Sequence, residues 1–293
     1  MNWLAAHLDE LAEANDWPYQ PGSSGAVEPA ALAALALAGH GHDAGAERAR
    51  RWLLGRQAPD GSLGIDNRHA TPHWPTALAT LAWRCAPPKP EDLAAEYTAA
   101  MGRATAAILA SAGKTHPQPA DMGHDTTLVG WTWADGTHSW QEPTAMCVLA
   151  LKATGAGDHP RAREGVRLLV DRLLPDGGCN YGNTSVLGQT LKPHLEPTGV
   201  TLLALAGESD PSGRLERSIA YARETAPSCR AAASLAWGLL GLAAHGQLPQ
   251  SAGDWLAESY ELTRRGAFLP RRTLLALAAL GERCPLVSFV RRC

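Results

Sequence analysis

The residues of this 293-residue chain best suited to chemistry gather in three loops, 60–74, 121–140 and 176–194. These loops hold His69, His73, His124, His138 and His194, the indoles Trp74, Trp131, Trp133 and Trp140, and also Asp125, Tyr181 and Asn183. Glu142 and Glu196 stand just past the second and third loops, each followed by Pro. Imidazoles and carboxyl groups are the side chains that most often move protons in catalysis, and indole faces attract cations or hold apolar ligands. Glu142, Asp125 and His124 are therefore the candidate acids. Trp74, Trp131, Trp133, Trp140, His138, Tyr181 and Glu196 are the candidate substrate-binding residues. Each also has a structural alternative. A Glu at a helix start answers the helix dipole, an Asp caps a helix or a turn, and a loop Trp packs its loop onto helix ends.

The elements that must position these groups read as helical hairpins. Four segments share a Pro followed by an apolar helical pattern: 27–39 (VEPAALAALALAG), 73–83 (HWPTALATLAW), 141–155 (QEPTAMCVLALKATG) and 195–207 (LEPTGVTLLALAG). Pro suits the first helical turn, where its missing N–H would be unpaired anyway. Glu28, Glu142 and Glu196 precede that Pro. These helices are apolar nearly all round, which predicts burial on every side. Two later segments, 230–244 and 271–280, continue the series. Amphipathic helices with a charged face are expected at 2–14, 44–56, 91–111, 161–173, 213–225 and 251–263. No strand-like alternation competes and no linker interrupts. The prediction is an all-α chain, an (α/α)6 toroid of antiparallel hairpins forming one domain over 1–293, with the N-terminal helix beside the last pair.

Residues 51–63 read RWLLGRQAPDGSL, with Trp52-Leu53, then Gln57, then Gly61-x-Leu63. This is similar to the QW repeat of the terpene cyclase (squalene cyclase) and protein prenyltransferase superfamily, in which an aromatic-Leu pair leads to Gln and then Gly-x-Trp. Residues 168–179 keep the frame with Leu173 in the Gln place, Gly177 in the Gly place and Cys179 in the place of the final Trp. The resemblance implies an (α/α)6 ring whose aromatic-lined central cavity binds an isoprenoid or another small apolar ligand, with acid-initiated cyclisation as the reaction. The cyclases protonate with a DxDD or DCTA motif, and neither occurs here. The matching slots hold Glu142-Pro143-Thr144-Ala145 and Glu196-Pro197-Thr198-Gly199, and His124-Asp125-Thr126-Thr127 is the other echo. The prenyltransferases hold zinc with Asp, Cys and His, which draws attention to Asp176, Cys179 and His194. Yet Asp176 is the Asp of an Asp-Gly turn and Cys179 fills a QW place, so no cofactor is expected. DDxxD and P-loop motifs are absent.

Bulk composition narrows the partners. With 45% hydrophobic residues, 19% charged and a net charge of −3, there is no basic excess to suggest nucleic acid. The N-terminal stretch is amphipathic and acidic, unlike a signal peptide, and the apolar runs are too short for a membrane span. Six scattered Cys without a CxxC pair suggest free thiols in a reducing cytoplasm. Ten Trp against two Phe is unusual. Two alternatives stay open: a non-catalytic toroid that binds a ligand or another protein, and an (α/α)6 carbohydrate-active enzyme.

Overall fold

The computed structural model describes residues 2–85, 91–118, 122–264 and 269–291; Asp121, at the start of the second loop, and Cys293 lie outside them. Among the described residues the chain is mostly helical, with almost no strand. Six amphipathic helices, α1 (Asn2–Glu13), α3 (Asp43–Leu54), α5 (Glu91–Ala110), α7 (Pro160–Asp171), α9 (Arg214–Thr225) and α11 (Ala252–Thr263), alternate with six apolar ones. The apolar six are α2 (Val27–Gly39), α4 (Pro75–Arg84), α6 (Gln141–Ala153), α8 (Leu195–Ala204), α10 (Ala232–Ala244) and α12 (Leu269–Ala278). Every one begins and ends within a few residues of its expected place.

Two elements were not expected. The loop before α8 folds back as a hairpin of two-residue strands, Ser185–Val186 against Gln189–Thr190. A final helix α13, Pro285–Arg291, follows α12. Seven residues make under two turns, too few for a helical period to show in sequence.

The apolar helices are buried as their pattern predicts, with every residue from 30 to 37 fully enclosed. Each of α2, α4, α6, α8 and α10 packs on the next, and α12 packs on α2. Outside them, α1 lies against α12, α2 and α3, and its Trp3 stacks on Tyr260 of α11 at 4.6 Å between ring centroids. Helix α13 packs on α6, α8 and α10. Its Pro285 lies near Gly39 at the C-terminal end of α2, so it covers the C-terminal end of the apolar helices.

The opposite, N-terminal end is stitched by the loops. Gln57 donates from Nε2 to the carbonyls of Gly61 and Ala100 and accepts from Arg103 of α5. Gly61 has φ of +89°, and a Cβ there would stand 2.3 Å from the Arg103 carbonyl oxygen, so only Gly fits the turn. Past this turn the backbone N–H of Leu63 donates to Thr76 Oγ1, 2.9 Å away in α4. The same bond recurs from Trp131 to Thr144 in α6, at 3.0 Å, and from Cys179 to Thr198 in α8, at 2.9 Å. Two residues later two of these loops reach back to the preceding helix: Ile65 accepts from Val27 N, and Tyr181 from Gln141 N. Tyr19 accepts from Leu269 N in the same way, linking α12 to α2.

The threonine of the Pro-Thr pair is thus a buried acceptor for a loop N–H. Thr144→Val keeps the shape and strands the Trp131 N–H. The expected cost is about 1–3 kcal/mol, read as a lower urea midpoint at unchanged slope.

Candidate functional site

Glu28, Glu142 and Glu196 are each the second residue of an apolar helix, and the stitched loops bring those three helix starts to one place. Each pair shares a repulsion large enough to perturb titration. Burial, then the charges of Glu196 and Glu28, push Glu142 up to about 8. Burial raises Glu28 to about 7, against the pull of a hydrogen bond from Tyr19 Oη to its Oε2 at 2.7 Å, with Glu196 adding repulsion. Glu196 is also raised, by burial, although Ser234 donates to it at 3.2 Å and Arg271 faces it.

The magnitudes show which effect wins at Glu142. A displacement from 4.5 to about 8 corresponds to roughly 5 kcal/mol. A helix N-terminus favours the ionised form by only about 0.3–1 kcal/mol. Glu142 is 9% exposed, and no hydrogen bond to its carboxyl group is formed among the described residues. At neutral pH it holds its proton.

Aromatic rings stand in the loops that lead into these helices. Trp140, the residue before α6, is stacked on His138 at 4.6 Å, and Tyr181 packs on His194 at 5.2 Å. Tyr181 itself is raised by burial and then by Glu196 and Glu142, which fixes it beside both carboxyl groups. Trp74 occupies in α4 the place that Glu holds in the other three helices, and meets Trp133 edge-on at 4.8 Å.

Other sequence candidates lie elsewhere or are otherwise engaged. Asp125 Oδ1 accepts from the backbone N–H and hydroxyl of Thr127, at 2.8 and 2.6 Å, which is a turn cap. His124 is buried against Thr184, and burial followed by the Arg172 charge lowers it to about 4. At neutral pH it is the uncharged imidazole, with no imidazolium proton to give. Trp131 is buried, with Nε1 bonded to the Ile108 carbonyl and Arg161 over its face, so it is a wall of the fold rather than of the carboxyl cluster.

The Asp176, Cys179 and His194 trio does not converge. Asp176 is exposed on its turn, while the Cys179 thiol is fully buried against Thr198 and Thr201 and is raised to about 12 by burial. Among the described residues no group of three or more His, Cys, Asp or Glu is placed to hold a metal. The described cysteines are free thiols, and no described helix is long and apolar enough to cross a membrane.

Three site residues were missed in sequence. Glu28 was legible, because Glu28-Pro29 repeats Glu142-Pro143 and Glu196-Pro197. Tyr19 and Arg172 carried no such signal. Arg172 is buried behind His124 and His138 and donates to the Ser139 carbonyl. The chain matches no protein-family model and no curated protein.

Proposed function

We propose that the six hairpins form an (α/α)6 toroid in one domain, of the prenyltransferase and squalene-cyclase kind. Its N-terminal end binds an apolar, isoprenoid-like molecule, with Glu142 as the proton donor. The cyclic packing of α2, α4, α6, α8, α10 and α12 supports the toroid. The observation that carries the function is Glu142: buried, without a hydrogen-bond partner among the described residues, held protonated at neutral pH by burial, and within electrostatic reach of Tyr181. A carboxyl group with a pKa of about 8 is a weak acid. It suits proton delivery to an oxygen, such as that of an epoxide, better than to a bare alkene. The faces of Trp140 and Tyr181 then stabilise the cation that forms. The free thiols accord with a cytoplasmic setting.

A second reading is a toroid that binds its ligand without turnover. It is favoured by the same repulsion among the three carboxyl groups, which weakens the acid instead of strengthening it. The test is incubation of the full-length protein with linear polyprenes and their terminal epoxides, with products resolved by mass spectrometry. Turnover of the epoxide is expected, falling by about a hundredfold or more in Glu142→Gln and little changed in Asp125→Asn. Binding without turnover by the wild type would leave the non-catalytic toroid as the function.

A further inference from the structure

One cleft stands apart from the carboxyl cluster. A space of about 550 Å³ opens between the C-terminal half of α5, the 131–136 loop and the first turn of α4. That is within the range of small-molecule sites, about 300–1,000 Å³. Its floor is buried, formed by Thr76 and Cys147. One side is the face of α5 at Ala106, Ala107 and Ala110, where no side chain extends beyond Cβ to fill the gap. The indoles cannot swing in to fill it either. Trp74 is braced edge-on by Trp133, and Trp131 is tied by Nε1 to Ile108 and covered by Arg161.

The rim carries two carboxylates and an imidazole, and Lys114 Nζ lies near Gly136, another of its residues. Asp60 and Asp135 face the opening, with His73 Nδ1 3.6 Å from the Asp135 carboxylate. Asp60 accepts from the backbone N–H and hydroxyl of Ser62, which favours its ionised form. No Lys or Arg lines the space. Two carboxylates thus stand at the edge of a space walled by Trp74 and Trp131.

We propose that this cleft is a binding site for a small organic amine, whose ammonium sits between Asp60 and Asp135 and whose apolar body lies on Trp74 against the α5 alanines. Each part answers a feature: the carboxylates take the charge, the indole adds cation–π attraction, and the alanine face takes the hydrocarbon. The site is separate from Glu142, so it stands or falls independently of the proposed cyclisation.

Phenethylamine and its neutral counterpart 2-phenylethanol are the probes, titrated onto the full-length protein near pH 7.5 and followed by tryptophan fluorescence and calorimetry. Phenethylamine is expected to bind about tenfold more tightly than the alcohol, the size of one charge-dependent contact. Asp135→Asn, a substitution at an exposed position, is expected to weaken the amine about tenfold and leave the alcohol unchanged. Ala107→Phe fills the space and is expected to abolish binding of both, with unchanged helical circular dichroism showing that the chain still folds. If Ala107→Phe misfolds, the Asp135→Asn comparison decides alone. No binding of phenethylamine at millimolar concentration overturns the proposal, as does equal affinity for the two probes. Amine binding that survives Asp135→Asn but is lost in Glu142→Gln also overturns it, by placing the cation at the carboxyl cluster.

Discussion

Glu142→Gln is expected to remove a large part of a stability loss that the wild type suffers as pH rises from about 5 to about 8. The folded chain holds the Glu142 proton up to about pH 8, whereas an unfolded chain releases it near the ordinary carboxylate value, about 4.5. Between those two values the folded state binds more protons than the unfolded one, so stability falls as pH rises. Below the unfolded pKa the contribution is fully present; above about 8 it is gone. The full displacement is worth roughly 5 kcal/mol, and because Glu28 and Glu196 share the repulsion, the part removed with Glu142 is expected to exceed about 2 kcal/mol. His7 and His124, both lowered to about 4 by burial, act in the opposite sense. Their contribution is present above about pH 6.5 and lost as pH falls toward 4. Both proteins share that background, so the quantity to follow is the difference between variant and wild type in urea unfolding at pH 5 and pH 9. The variant should gain on the wild type across that interval. Parallel pH profiles would show that Glu142 ionises normally and would remove the basis for its role as acid.

The second large effect is expected at the crossing of α8 and α10. A Cβ on Gly199 would stand 2.3 Å from the backbone carbonyl of Trp237, and one on Gly241 would stand 2.6 Å from the carbonyl oxygen of Gly199. Gly238 faces Leu195 with similarly little room. At Gly199 and Gly241 the two backbones therefore touch, with backbone atoms rather than a side-chain end in the way. In an open helix Gly199→Ala would gain about 1 kcal/mol from helix propensity. Here the clash is expected to outweigh that gain, giving a net loss of about 1–3 kcal/mol. Gly199→Leu is expected to prevent the two helices from meeting at all. Urea unfolding measures the first, and loss of cooperative melting the second. A Gly199→Ala midpoint at or above the wild type would show that the helices separate at little cost.

These two sites differ in how much of them the sequence displays. The α8 pattern Leu-Glu-Pro-Thr-Gly announces an apolar helix with a Pro start, and its glycine looks like a mild weakness of that helix. The contact that makes Gly199 indispensable comes from α10, some forty residues later, and nothing local signals it. The loops show the same division. Asp-Gly at 60–61 and at 176–177 marks a turn, because Gly tolerates positive φ. That Cys179 N–H would find Thr198 Oγ1, as Leu63 finds Thr76, depends on the loop meeting the next helix start. Cys179, which stands in the place of the motif's final Trp, is fully buried as a packing residue would be. In sequence His124 and Asp125 are candidate acids. In the folded chain one is neutral against Thr184 and the other caps Thr127.

The sequence by itself determined the helices, their alternation of apolar and amphipathic faces, and the turns between them. Those features rest on interactions within a few residues: helical periodicity, Pro and Gly backbone limits, and charges at helix ends. Only the tertiary structure decided that Glu28, Glu142 and Glu196 share one site and that Glu142 keeps its proton. Ionisation depends on lost water and on neighbouring charges, and here those neighbours come from helix starts far apart in the chain.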